Sequence, residues 1–195
     1  MTDLGKELTV KLLSANPTYV RVALSVIDHA EFIRASLIAE FAGEVEGALR
    51  SKFMPEDGWA ITNTISAALR GGDYRKKDTG IYLRRTTWPP DCFVAITADF
   101  GATNLGYGVW GRGACEGDLG QKLHGVLSKG VGRGKSDTRY NPWWLFCRIS
   151  MAFPVRSWSE SPAIIAMQRR QEFVQHLVGM FVDVEKAVRP ILDPA

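Results

Sequence analysis

The fold prediction rests on residues 81–110, which have the sequence IYLRRTTWPPDCFVAITADFGATNLGYGVW. Three runs in it have the composition of β-strands, namely residues 81–88, 92–99 and 105–110. Alternate positions of the second run are apolar, which is the pattern of a strand with one buried face. Two prolines separate the first two runs, and a Gly-containing turn separates the second from the third. Because these connections are short, we predict that the three strands pair antiparallel.

Helical patterns precede this region. Asp28 and Glu31 have the spacing of a capping box, which predicts a helix from residue 29 to about residue 51. Its apolar stripe consists of Ile38, Phe41, Val45 and Leu49. The sequence PEDG at residues 55–58 predicts the start of a second helix, which reaches Arg70 and ends at two glycines.

After the central strands we predict a helix over 118–129, a strand over 143–153 and a helix over 162–189. Ser161 is the expected N-cap of that last helix, and Pro190 marks its expected end. Near the start of the chain, residues 8–13 suit a short strand, and residues 18–27 suit either a strand or the start of a helix. The expected core contains Phe41, Val45, Ile96, Leu145, Leu177 and Phe181.

The order helix, helix, three strands, helix, strand, helix indicates an α+β fold. We expect a mainly antiparallel sheet of four or more strands, with helices packed mostly on one face. A length of 195 residues suits one globular domain over residues 1–195. The content of 46% hydrophobic and 23% charged residues excludes intrinsic disorder, collagen-like repeats and a disulfide-dense mini-protein.

The first residues, MTDLGKELTVKLL, lack the basic start and apolar run of a secretory signal. The sequence also has no uncharged apolar run of about 18 residues, the length that a membrane span requires. The three cysteines are odd in number and have no metal-type spacing, so we expect reduced and mostly buried thiols. These features predict a cytoplasmic protein without a membrane partner.

Positive charge is concentrated in the middle of the chain. Residues 70–158 carry 14 basic and 7 acidic groups, whereas the segments before and after them are mildly acidic. Such a distribution attracts anionic partners. The positive charge lies mainly in two loops, at residues 70–80 and 129–139, and in the first predicted strand, which carries Arg84 and Arg85. The candidate binding residues are Arg75, Lys76, Lys77, Arg84, Arg85, Lys129, Arg133, Lys135 and Arg139.

Residues 130–136 have the sequence GVGRGKS, which ends like a phosphate-binding loop. Such a loop requires four residues between its first glycine and the Gly-Lys pair, a strand before it and a helix after it. Here only three residues intervene, and a helix is predicted before the loop. We therefore expect a flexible basic loop that contacts anions rather than a nucleotide-binding P-loop.

No pattern in the sequence indicates a catalytic or metal site. The histidines, His29, His124 and His176, fall in predicted helices without a partner at metal-ligand spacing. Cys115 lies beside Glu116 and lacks the basic neighbours that lower the pKa of a thiol. We therefore expect no cofactor, no metal and no nucleophilic mechanism, and a binding role rather than catalysis.

Six tryptophans occur in the chain, and four lie in or beside predicted strands. Burial in the sheet is one interpretation, and an exposed aromatic patch that anchors a partner is the other.

The favoured function is a non-enzymatic protein whose basic loops and aromatic residues bind an anionic macromolecule, either an acidic protein surface or nucleic acid. The alternative is a small-molecule-binding protein or enzyme with a pocket between sheet and helices, which Asp99, Tyr107 or Arg148 would line. The apolar C-terminal helix also offers a surface for oligomerisation.

Overall fold

The structure is a computed structural model, and it describes residues 7, 9–11, 15–65, 68, 79–99, 104–137, 139–146 and 170–193. The helices in these ranges are α1 (Pro17–Asp28), α2 (Ala30–Arg50), α3 (Leu119–Gly130) and α4 (Arg170–Leu192). The strands are β1 (Trp59–Asn63), β2 (Gly80–Arg85), β3 (Phe93–Asp99), β4 (Asn104–Trp110), β5 (Lys135–Asp137) and β6 (Asn141–Phe146). Two short 3-10 helices lie at Pro55–Asp57 and Arg112–Cys115.

The six strands form one antiparallel sheet in the order β1-β2-β3-β4-β6-β5. The predicted α+β class and the antiparallel pairing of the three central strands are confirmed. Strands β1 to β4 are neighbours in chain order, whereas β6 inserts between β4 and β5. This one exception to chain order places the end of β4 beside the start of β6.

One face of the sheet packs into the core with the helices. The register puts Ile81 opposite Ile96, and Val109 opposite Trp143, and these four side chains are fully or almost fully buried. Apolar residues of α2, α3 and α4 belong to the same buried cluster. Of the six expected core residues, Phe41, Val45, Ile96, Leu177 and Phe181 are buried, and Leu145 is half-buried.

Helices α2 and α4 are joined by an apolar contact and an ionic one. The rings of Phe41 and Phe173 stack with their centroids 4.9 Å apart. Nearby, the Arg170 guanidinium lies 2.5 Å from a carboxylate oxygen of Glu44 and 3.1 Å from one of Glu40. Together these contacts fix the first turns of α4 against α2.

The predicted second helix is wrong at residues 59–63, which form β1. Pro55–Asp57 makes only a single 3-10 turn, and Gly58 ends it with a left-handed backbone (φ 80°). Trp59 and Ile61 are buried while Ala60 and Thr62 are exposed, so the period is two and not 3.6. Farther along, Ile65 and Ala68 are helical, and the remaining residues up to 78 lie outside the described ranges.

Four smaller expectations also need correction. Residues 135–137, expected in a loop, form the edge strand β5. Their side chains are exposed, and the strand is held by main-chain pairing with β6. Helix α4 runs through Pro190 to Leu192, since the buried side chain of Leu192 holds the last turn. At the start of the chain, residues 7 and 9–11 are helical rather than extended. Asp28 is the last residue of α1, and not an N-cap.

Several other expectations concern residues 18–27 and the predicted strand at 143–153. The first stretch is helical and belongs to α1. The predicted strand is present as far as Phe146, and its remaining residues, like the expected N-cap Ser161, lie outside the described ranges.

The chain divides into two compact units, residues 1–36 and residues 37–195. In the first unit, none of the residues of α1 is buried, and Val22, Leu24 and Ile27 are each more than half exposed. The second unit contains the whole sheet and the core described above. The apolar stripe of α4, where we expected an oligomer surface, is buried in that core.

We predict that Leu177→Ala lowers the free energy of unfolding by roughly 2–5 kcal/mol, because the side chain is fully buried in α4 and its removal leaves a cavity. Urea denaturation followed by circular dichroism measures the change. The matched control is Gln175→Ala, which alters an exposed position of the same helix and should leave the midpoint almost unchanged. Equal midpoints for the two variants would show that this face of α4 does not carry the core.

Candidate functional site

Two arginines that are distant in sequence meet at one edge of the sheet. Because β4 and β6 are antiparallel neighbours, the residues that follow β4 lie beside those that precede β6. The Gly111 amide donates a hydrogen bond to the Tyr140 carbonyl at 2.6 Å and extends this pairing. Arg112 and Arg139 therefore line the same cavity.

That cavity has a volume of about 380 Å³ and is lined by Arg112, Cys115, Glu116, Arg139 and Tyr140. A second cavity, of about 400 Å³, is lined by Cys115, Gly117, Gly120, Gln121, His124, Gly125, Ser136 and Pro142. Because Cys115 lines both cavities, we treat them as one feature and call it the basic groove. Its floor and walls come from the 3-10 helix after β4, from α3 and from the β5–β6 hairpin.

The backbone at Gly111 tolerates only glycine. Its φ is 114°, and a Cβ atom there would lie 1.4 Å from the carbonyl oxygen of Asp91. Two residues farther on, a Cβ atom at Gly113 would lie 1.9 Å from the carbonyl oxygen of Pro90. The loop between β2 and β3 thus presses on the segment that carries Arg112 and fixes its path.

His124 ties α3 to the start of β6. Its Nδ1 lies 2.9 Å from the Pro142 carbonyl oxygen, and since a carbonyl only accepts, Nδ1 carries a proton and donates it. The other ring nitrogen lies 3.4 Å from the Ser128 hydroxyl. Both ring nitrogens therefore lie against neighbouring groups of the protein.

Trp143 anchors the loop that carries Arg133 and Lys135. Its side chain is fully buried, and its indole N–H donates to the Gly132 carbonyl at 3.0 Å. A Cβ atom at Gly134 would lie 2.2 Å from the same indole nitrogen, so the loop backbone can approach the ring only because this residue is glycine. The loop expected to be flexible is thus fastened to the core at two successive points.

The predicted site residues near α3 and β5 are exposed. Lys135 places its ammonium 5.2 Å from the ring centroid of Trp144, a cation–π contact. Lys129, Arg133 and Arg139 make no side-chain ion pair or hydrogen bond within the part of the chain that the structure describes, and Arg112 makes none either. The remaining predicted residues of the first loop, Arg75, Lys76 and Lys77, lie outside the described ranges.

The two predicted site residues on β2 are engaged in internal contacts. The Arg84 guanidinium lies 5.8 Å from the ring centroid of Phe93. Arg85 forms an ion pair with Asp193 just after α4 and lies 5.5 Å from the ring centroid of Trp59. Arg85 therefore joins the end of α4 to the sheet.

Burial disfavours the thiolate form of both described cysteines. Burial raises the pKa of Cys92 to about 12, and the neighbouring Cys115 adds to the rise. Burial also raises the pKa of Cys115, which lies 3.7 Å from the Asp137 carbonyl oxygen, and the Asp137 carboxylate contributes further. Both cysteines are free. The third, Cys147, lies outside the described ranges.

The second cavity lies between α3 and the β5–β6 hairpin of the sheet, but its described lining does not include the residues expected to line a pocket between sheet and helices. Tyr107, one of those expected residues, packs edge-on against Trp143 in the core, with ring centroids 5.8 Å apart. The side chains of Asp99 and Arg148 are outside the described part of the structure. The residues that sequence reasoning missed are Arg112 and Tyr140, because only the β4–β6 pairing places them together.

Comparison of the chain with protein-family models, with curated proteins and with solved structures finds no match. Among the helices that the structure describes, none combines the length and the apolar character that a membrane crossing requires. The described residues likewise contain no cluster of three or more His, Cys, Asp or Glu side chains suited to a metal ion.

We predict that Asp193→Asn destabilises the protein more at neutral than at acid pH. Burial by itself raises the pKa of Asp193, but hydrogen bonds from Thr87 and Arg85 and the Arg85 charge outweigh it and lower the pKa below its ordinary value of 3.8. A carboxylate with a lowered pKa stabilises the fold above its unfolded pKa, and this contribution is lost as the pH falls through the folded pKa.

Denaturant titrations of both proteins between pH 7 and about pH 3 measure this difference. The exposed Asp183→Asn on α4 is the control, and its difference from wild type should stay small throughout. A constant gap between Asp193→Asn and wild type over the whole pH range would contradict the proposed ion pair.

We predict that Gly111→Ala is far more damaging than Gly117→Ala. Both glycines have a positive φ, which costs an alanine roughly 1–2 kcal/mol. Only at Gly111 does the added Cβ also collide with backbone, whereas at Gly117 it meets nothing within 4 Å. Urea midpoints of the two variants test this, and similar losses for both would mean that the close approach to Asp91 is not maintained in solution.

Proposed function

We propose that the protein is a non-enzymatic binding protein that contacts an anionic macromolecule, an acidic protein surface or nucleic acid, through the basic groove and the loop beside it. The observation that carries this proposal is a set of exposed cations without a carboxylate partner within the described residues: Arg112, Lys129, Arg133 and Arg139.

Three arginines on α2 and α4 make a useful contrast. Arg50 pairs with Glu46, Arg170 with two glutamates of α2, and Arg189 with Glu185. Those charges are neutralised within the protein. Residues 110–146 carry six basic and three acidic groups, so the groove region keeps a positive excess that faces solvent. Exposed charges act together over about 8–10 Å at physiological salt, a range that suits residues on one hairpin and its neighbouring turn.

A second candidate function is the binding of a small anionic molecule. The observation that favours it is the size of the two cavities, about 380 and 400 Å³, which falls in the usual range for ligand pockets of about 300–1,000 Å³. The raised pKa of Cys115, which disfavours a reactive thiolate, favours binding over catalysis at this site.

We predict that the double variant Arg133→Ala/Arg139→Ala weakens binding to polyanions because it removes two unpaired positive charges. Affinity of the wild-type protein should fall steeply as salt rises, since neutralising phosphates releases bound counterions, and the variant should show a shallower slope. Fluorescence anisotropy with labelled oligonucleotide and with labelled poly-L-glutamate, at low and high salt, measures both quantities.

The control is Arg21→Ala/Lys52→Ala, which removes the same charge from exposed positions of α1 and of the turn after α2. It should bind both probes almost as wild type does. If the two double variants weaken binding equally, net charge rather than this surface is responsible. If neither probe binds the wild-type protein, the proposed function is wrong.

A further inference from the structure

The cavity at the turn before β6 combines an aromatic ring with charges of both signs. Tyr140 is 58% exposed, although large aromatic side chains are usually well buried. Arg112 and Arg139 line the same cavity and have no carboxylate partner within the described ranges. The exposed Glu116 also lines it without pairing to either arginine. These four side chains face one space and are not used by the fold.

A nucleotide has a group for each of these side chains. Its phosphate is an anion that guanidinium groups bind through paired hydrogen bonds. Its base has a flat face that stacks on an aromatic ring, whatever its sequence. The edge of its base carries N–H donors, which are amino groups in adenine, cytosine and guanine and the ring N–H in thymine, and such a group donates to a carboxylate such as that of Glu116. An acidic peptide also supplies anions to the two arginines, but its carboxylates offer neither a flat face to the ring of Tyr140 nor an N–H donor to Glu116.

The second cavity shares Cys115 with the first, and its lining does not include Tyr140. Three glycines line it, and at Gly117 and Gly125 a Cβ atom would meet nothing within 4 Å. The wall is therefore bare backbone with open space in front of it. Gln121 and Ser136 supply polar side chains at its border. A groove of two adjoining cavities suits a polymer that runs along it better than a single small molecule.

We propose that the basic groove binds single-stranded nucleic acid. One base stacks on Tyr140, the adjoining phosphate lies against Arg112 and Arg139, and the strand continues past Cys115 into the cavity lined by Gly125. This inference rests on the proposed function and deepens it by naming the partner. A duplex does not fit the same arrangement, because its bases are paired and stacked on each other and offer no free face to Tyr140.

The stacking step is tested with Tyr140→Ala and Tyr140→Phe. The probe is a fluorescein-labelled oligothymidylate of about twenty nucleotides, long enough for one or more binding sites. Tyr140→Ala should weaken binding roughly tenfold, in keeping with the loss of one stacked base, whereas Tyr140→Phe keeps the ring and should bind like wild type. Equal binding by all three proteins would overturn the stacking role.

The path of the strand is tested by filling the second cavity. Gly125→Leu puts a side chain into open space on α3, so the protein should fold and the groove should be blocked. Gly47→Leu is the matched control, because it makes the same change at an exposed position of α2 that also has nothing within 4 Å. Thermal melts confirm folding of both, and only Gly125→Leu should lose affinity for the oligonucleotide.

The outcomes separate this inference from the proposed function. Binding of poly-L-glutamate but not of the oligonucleotide overturns the nucleic-acid partner and leaves the basic surface standing. The same conclusion follows if Arg133→Ala/Arg139→Ala weakens binding while Tyr140→Ala and Gly125→Leu do not. Equal affinity for single-stranded and duplex probes also overturns it. The single-stranded partner is supported if Tyr140→Ala and Gly125→Leu selectively lose single-strand binding while the controls Tyr140→Phe and Gly47→Leu bind like wild type.

Discussion

The antiparallel pairing of β4 with β6 is the constraint on which the groove depends. It joins two chain segments that are separated by α3 and β5, and it sets Arg112 beside Arg139 at one edge of the sheet. Gly111 lets the loop between β2 and β3 pack against the segment that carries Arg112, because any side chain there would collide with the Asp91 carbonyl. The position of the unpaired cations is therefore fixed by backbone packing, and not by attraction between the side chains, which repel each other.

Trp143 connects the stability of the core with the shape of the binding surface. Its ring is buried against Tyr107, while its indole N–H reaches outward to hold the carbonyl of Gly132. A loop anchored in this way loses less conformational entropy on binding than a mobile one, because much of its ordering is already complete before a partner arrives. Changes in the core beneath it should consequently alter affinity as well as stability.

The basic residues of the central region serve two different purposes. Arg85 holds the end of α4 to β2 through Asp193, beside a buried aromatic group formed by Trp59 and Trp88. Arg133 and Arg139 have no such internal partner among the described residues. A count of charges along the chain treats these arginines alike. Only the positions of the carboxylates distinguish a cation that stabilises the fold from one that remains available to a partner.

The sequence by itself determined the elements whose signals are local. Alternation of apolar residues located the central strands, and three- and four-residue spacing located α2, α3 and α4, because these periods follow directly from backbone geometry. The interpretation of the tryptophans as buried is confirmed for Trp59, Trp88, Trp143 and Trp144.

Tertiary structure decided what local pattern leaves open. Residues 59–63 became a strand because β2 offers them a partner, and residues 135–137 did so because β6 has a free edge. The groove likewise depends on strand pairing that no local pattern predicts. No spacing in the sequence relates Arg112 to Tyr140, because their proximity comes from hydrogen bonds between strands that are not consecutive in the chain.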